Sequence, residues 1–92
     1  MEPKNRLDRE RLLREIARLS KADIDLKVRE SIYSNDPYVL CAMHYLSVKM
    51  QSESRYQSQT EYYEVFKRLM KKNPAYNEDI EFEASHIARE LK

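Results

Sequence analysis

The sequence has no glycine among its 92 residues, although glycine makes up about 7% of an average protein. This absence excludes sites built on glycine-rich loops: the phosphate-binding loops of nucleotide enzymes, the dinucleotide fingerprint, and the sharp turn that carries the nucleophilic serine of hydrolases. Hairpin turns and β-bulges also need residues with positive φ, which glycine adopts most readily. The lack of glycine therefore argues against an antiparallel β fold.

Cysteine and long apolar runs are also scarce. The single cysteine, Cys41, excludes an internal disulfide, whereas small secreted domains usually carry several. The first six residues are charged and lead into no apolar segment, so we expect no secretion signal. The longest apolar run, residues 38–46, contains His44 and is about half as long as a membrane-spanning helix. We therefore expect a cytoplasmic protein that does not enter a membrane.

The sequence also has no large excess of either acidic or basic residues. Lys and Arg number 17 against 16 Asp and Glu, which leaves a net charge of +1 although 36% of the residues are charged. Such a balance is a weak electrostatic footprint for a nucleic acid or a membrane held by bulk charge. The length allows one domain, residues 1–92.

The periodicity of the apolar residues predicts an all-α fold, a small bundle of four to five short helices. The first helix is expected over residues 5–19, and a second over 21–33 with Ser20 as its N-cap. Residues 24–28 also alternate apolar and polar side chains, as in a strand. No second alternating run offers this strand a partner, so the segment is either helical or an edge strand completed by another chain.

The central helix of the bundle is expected over residues 37–50. Asp36 can cap it, and Pro37 suits the first helical position because its missing N–H costs no hydrogen bond there. The segment that follows Pro37 is apolar around nearly its whole circumference, which is typical of a helix buried on most sides.

The segment after this helix has two interpretations. Ser58 and Glu61 form a capping-box pattern, which predicts a separate helix over residues 59–72. Alternatively, residues 38–72 form one long helix, because neither glycine nor proline interrupts them.

The apolar residues of the last two helices predict which faces enter the core. For the helix over 59–72 that face comprises Tyr62, Val65, Phe66, Leu69 and Met70. Asn73 suits a left-handed helix stop before Pro74, and Asn77 is expected to cap the last helix. The predicted core face of that helix comprises Ile80, Ala84, Ile87, Ala88 and Leu91.

No constellation of residues predicts catalysis. Cys41 and His44 stand three apart on one helix, but a nucleophilic site also needs a group that orients the imidazole and a donor for the oxyanion. A structural zinc site needs four ligands, and His86 brings this set only to three. We therefore expect no enzyme, no metal and no cofactor.

Three arginines, Arg11, Arg14 and Arg18, share one side of the first helix. Glu10 and Glu15 stand at spacings that permit ion pairs with them, which favours a solvated helix face. The alternative is a basic stripe that contacts nucleic acid.

Aromatic residues are the candidates for a partner site. The chain has seven tyrosines and no tryptophan, and tyrosine is favoured at interfaces because its large ring also carries a polar group. Tyr56 and Tyr76 lie in polar stretches. Phe82 falls opposite the core face of the last helix, with His86 and Arg89 four and seven residues later. These three residues resemble an interface hot spot.

The sequence therefore favours a non-catalytic protein–protein interaction module, a small regulator or inhibitor. It would bind through Phe82, His86, Arg89, Tyr56 and Tyr76, either to another protein or to a second copy of itself. The alternative is a small helical nucleic-acid-binding protein that uses the arginine stripe. A salt titration separates the two, because phosphate contacts weaken steeply as salt rises.

Overall fold

Five α-helices make up the part of the chain that the structure describes. The structure, a computed structural model, describes residues 7–53 and 57–90, and these contain no strand. The helices are α1 (Arg9–Ser20), α2 (Ile24–Tyr33), α3 (Pro37–Glu53), α4 (Gln57–Lys71) and α5 (Glu78–Glu90). The predicted all-α bundle is confirmed. Residues 24–28 lie within α2, so the edge-strand alternative is wrong.

Aspartates begin the first two helices. Asp8 caps α1, so this helix begins later than the predicted residue 5. Asp23 caps α2, and its carboxylate accepts the N–H of Leu26 at 2.8 Å. The prediction that Ser20 caps α2 is wrong: Ser20 ends α1, and its hydroxyl donates to the carbonyl of Ala17 at 2.9 Å. A carboxylate at the cap also interacts favourably with the positive end of the helix dipole, which a serine hydroxyl does less well.

The third helix is the centre of the bundle. The carboxylate of Asp36 accepts the N–H of Tyr38 at 2.9 Å, and every residue from Val39 to Ser47 is buried. The other four helices all pack against α3. This confirms the predicted central helix, which continues three residues beyond the predicted end, to Glu53.

The chain folds back between α3 and α4. Lys67 Nζ donates to Gln51 Oε1 at 3.0 Å, across 16 residues of sequence. In one straight helix these residues would be about 24 Å apart, so the long-helix alternative is wrong. The fourth helix begins at Gln57. Ser58 therefore lies inside α4 and is not its N-cap.

The buried face of α4 agrees with the predicted one at Phe66 and Met70 but not at Val65. The side chain of Tyr62 lies outside the described part of the structure. Tyr63, Phe66 and Met70 are buried, whereas Val65 is 45% exposed. The rings of Tyr63 and Phe66 pack edge to face with centroids 5.9 Å apart. The Tyr63 hydroxyl also accepts a hydrogen bond from Nζ of the buried Lys27 at 3.3 Å, which fixes this face against α2.

Asn73 follows the end of α4 without a left-handed backbone, and its side chain bonds to α2 and to the following turn. No described residue has positive φ, so the predicted left-handed stop is wrong. The buried amide nitrogen of Asn73 instead donates to the carbonyls of Ser31, Ile32 and Ser34 at 2.9, 3.1 and 2.8 Å. Its carbonyl oxygen accepts the N–H of Ala75 at 2.9 Å. One side chain thus holds the end of α2 and the turn before α5.

The last helix follows the prediction more closely. Asn77 caps it by accepting the N–H of Ile80 at 3.1 Å. Ile80, Ala84 and Ile87 are buried as expected, and Leu91 lies outside the described residues. None of the helices in the described ranges is both long and apolar enough to cross a membrane.

Candidate interaction surface

Two of the three arginines of the predicted stripe are held by carboxylates. Arg18 donates to Glu15 and to Glu30, with distances of 3.1 and 2.6 Å to the two Glu30 oxygens. These hydrogen bonds, first those to Glu30 and then those to Glu15, raise the pKa of Arg18 above its usual value. Because Glu30 lies on α2, the pairing joins two helices and leaves this guanidinium less available to a phosphate.

Arg11 is also engaged within the chain. Its guanidinium lies 3.6 Å from Asp36 and 4.2 Å from the centroid of the Tyr38 ring. Arg14 is exposed, and the described ranges provide it with no ion-pair partner. The structure therefore brings the three arginines to one side of α1 but leaves only Arg14 without such a contact.

Cys41 and His44 belong to the core. Cys41 is fully buried, and burial, with a smaller effect from Glu83, raises the pKa of its thiol to about 12. At neutral pH it is a protonated thiol, which is a poor nucleophile. Within the described ranges, no group of three or more His, Cys, Asp and Glu side chains is arranged to hold a metal ion.

His44 and Tyr76 form a buried aromatic pair. Their rings stack with centroids 5.7 Å apart, and the Tyr76 hydroxyl is hydrogen-bonded to His44 Nδ1. Burial lowers the pKa of His44, and the charges of Glu81, Lys71 and Lys67 act on it more weakly. Burial likewise raises the pKa of Tyr76. A neutral imidazole and a protonated phenol make the hydroxyl the donor and Nδ1 the acceptor.

The sequence missed this use of Tyr76. It lies in a polar stretch, yet its ring packs against the core and its hydroxyl is satisfied within the chain. Its contribution to a partner site stays a prediction, and so does that of Tyr56, which lies outside the described residues.

Phe82 begins a row of contacting side chains on the outer side of α5. Its ring stacks on that of His86, with centroids 6.4 Å apart and planes within 4°. His86 Nε2 lies 3.0 Å from a carboxylate oxygen of Glu90, whose other oxygen lies 2.6 Å from Arg9 Nη1 on α1. We call Phe82, His86, Glu90 and Arg9 the α5 row. The structure thus brings together two of the three predicted hot-spot residues.

Arg89 lies apart from this row. It is exposed and lines a groove of about 260 Å³ between α3 and α5, together with Tyr45, Val48 and Ala84. The α-helical angle of seven residues brings Arg89 to the same side as Phe82, but the contacts of the Phe82 ring go to His86. Arg89 therefore lies beside the α5 row, where it lines the groove between α3 and α5.

An open groove of about 480 Å³ lies on α4, and the sequence pattern did not predict it. It is lined by Val65, Arg68, Leu69, Lys71 and Lys72, and we call it the cationic α4 groove. All three cations are exposed. The apolar periodicity of α4 predicted Val65 in the core, but Tyr63 is buried there instead and Val65 lies in the groove beside the cations.

Comparison with protein-family models, with curated proteins and with solved structures finds no match to this chain.

Proposed function

We propose that the protein is a non-catalytic interaction module, a small cytoplasmic regulator or inhibitor that binds another protein through the α5 row. The observation that supports this proposal most is the Phe82 ring. It is half-buried, and its ring contact is with His86 of its own helix. Ile80, Ala84 and Ile87 supply the buried face of α5, so Phe82 is surplus to that face.

The row is also held in place before any partner arrives. The stacking on His86 and the ion pairs that run through Glu90 to Arg9 limit the rotamers that Phe82 and its neighbours can adopt. An aromatic anchor that is ordered in advance loses less entropy on binding. With charged groups around it, it has the composition of an interface hot spot.

The test compares Phe82→Ala with Tyr33→Ala. Tyr33 is 80% exposed on α2 and serves as the matched control for loss of a surface aromatic. A protein that the unmodified chain enriches from its host is purified, and its Kd is measured against all three chains by calorimetry. We expect Phe82→Ala to weaken binding by about tenfold or more, and Tyr33→Ala to leave it unchanged.

Thermal unfolding completes the test. Loss of the solvent-facing Tyr33 ring should change stability by about 0.5 kcal/mol or less. Phe82 is half-buried but lies outside the buried face of α5, so Phe82→Ala should melt only slightly below Tyr33→Ala. A large loss of stability with an unchanged Kd would assign Phe82 to the core and refute the proposal.

Nucleic-acid binding through Arg11, Arg14 and Arg18 is the alternative. Its support is the exposed Arg14 and the common side that the three arginines share. Against it, phosphates would have to compete with Asp36, Glu15 and Glu30 for the other two. Absence of binding to duplex DNA or RNA at low salt, where phosphate contacts are strongest, would exclude it.

A further inference from the structure

Two neighbouring surfaces carry exposed charges of opposite sign. The cationic α4 groove carries Arg68, Lys71 and Lys72, and the first turn of α5 carries Glu78, Asp79 and Glu81. All six side chains are exposed, and none has an ion-pair partner within the described part of the chain.

Each surface also has an apolar centre. Val65 and Leu69 lie among the cations of the groove, and Val65 is 45% exposed. Phe82 follows directly after the three acids. We call Glu78, Asp79, Glu81 and Phe82 the acidic α5 surface. Both surfaces thus have the same construction, with opposite charge at the rim.

The two surfaces have a fixed relation to each other. The turn between α4 and α5 is short, and the side chain of Asn73 anchors it to the end of α2 through three hydrogen bonds and accepts a fourth from Ala75 within the turn. The groove lies near the end of α4 and the acids lie at the start of α5, so the two surfaces flank this turn. Two complementary surfaces on one molecule suit a two-fold axis, because one rotation forms both contacts at once. The net charge of +1 leaves little overall repulsion between two copies.

We propose that the chain forms a two-fold dimer in which the acidic α5 surface of each copy lies in the cationic α4 groove of the other. This inference rests on the proposed function, since it uses Phe82 as an anchor, and it names a second copy as the partner. Phe82 would contact Val65 and Leu69 of the other copy, with the acids against Arg68, Lys71 and Lys72.

Two charge-reversal variants test the pairing. The first, Arg68→Glu with Lys72→Glu, makes both surfaces acidic; the second, Glu78→Lys with Glu81→Lys, makes both basic. Masses are measured by sedimentation equilibrium from about 10 μM to about 1 mM protein, a range that detects even a weak dimer. We expect the unmodified chain to dimerise, each variant alone to lose at least about tenfold in affinity, and an equimolar mixture to form a heterodimer.

A control variant carries the same charge change elsewhere. Arg14→Glu with Lys21→Glu alters two exposed residues at α1, far along the chain from either surface, and should dimerise like the unmodified chain. Circular dichroism establishes that each variant is folded. Since reversal at the first turn of α5 opposes the helix dipole, Glu78→Gln with Glu81→Gln is the milder replacement, and it should weaken the dimer without abolishing it.

The outcomes separate this inference from the proposed function. An unmodified chain that stays monomeric at about 1 mM, or a dimer that neither reversal weakens, overturns the two-fold pairing. In either case the effect of Phe82→Ala on a different protein partner still decides the proposed function. If Phe82→Ala leaves the dimer unchanged, its place in the groove is refuted.

Discussion

The α1–α2 side of the molecule and its α4–α5 end contain similar charged residues in different surroundings. On the first side, Arg18 pairs with Glu30 across 12 residues of sequence, and Arg11 lies beside Asp36. At the other end, the cations of the α4 groove and the acids of α5 have no ion pair within the described residues. Helical spacing predicts which charges share a face and which pairs form within one helix, such as Arg18 with Glu15. It does not predict pairs with residues elsewhere in the fold, such as Glu30 and Asp36.

The largest expected effect on the free energy of unfolding belongs to Asn73, which joins the two regions. Asn73→Ala removes the amide that donates to three carbonyls at the end of α2. Buried acceptors left without a partner cost about 1–3 kcal/mol each, so we expect a loss near 3 kcal/mol after partial relaxation. Urea denaturation measures it. Asn35→Ala, at an exposed asparagine two residues beyond the end of α2, is the control. Equal losses in both variants would contradict the role of Asn73.

The pH dependence of stability should come from His44 of α3, which packs against Tyr76 in the turn between α4 and α5. Burial lowers the pKa of His44 below its usual 6.5. As pH falls below that value, the unfolded chain binds a proton that the folded chain does not. Stability therefore decreases on acidification, by at most about 1.4 kcal/mol per pH unit, until the folded pKa is reached.

Chemical denaturation between about pH 7.5 and about pH 5.5 covers the pH at which this loss of stability begins, and it avoids most carboxylate titration. His44→Phe keeps a ring against Tyr76 but has no group that titrates, so its stability should depend less steeply on pH. A slope equal to that of the unmodified chain would show that His44 does not contribute.

The smallest expected effect compares the two regions directly. Arg18→Gln breaks the contacts to Glu15 and Glu30 and should cost about 1 kcal/mol, the upper end for exposed ion pairs. Arg68→Gln removes an exposed, unpaired cation and should change stability by about 0.5 kcal/mol or less. The difference should shrink in high salt, which screens the pairs of Arg18. The reverse order of the two losses would refute the distinction drawn between the regions.

The sequence predicted the helices well where the signal was local. Asp36 and Asn77 were identified as caps, because their side chains bond backbone groups a few residues away. The central helix was predicted from its uniformly apolar circumference. Both features depend only on neighbours in sequence.

What the sequence did not predict depends on other helices. Tyr63 replaces Val65 in the core because Lys27 of α2 binds its hydroxyl. Tyr76 is held by His44, 32 residues away, and Asn73 by the end of α2. The packing of the helices against one another decides which of these side chains is buried and which group it bonds. The periodicity of a single helix contains no information about its neighbours.

The burial of Cys41 provides a means to follow these regions in solution. Its thiol lies in the first half of α3, fully shielded and almost wholly protonated at neutral pH. A thiol in this position reacts with an alkylating reagent only during the moments when the surrounding helices separate. The alkylation rate of the folded protein, divided by that of the unfolded chain, therefore equals the fraction of time that the bundle spends open. The sulfur atom of one native cysteine reports this fraction, so no cysteine has to be introduced.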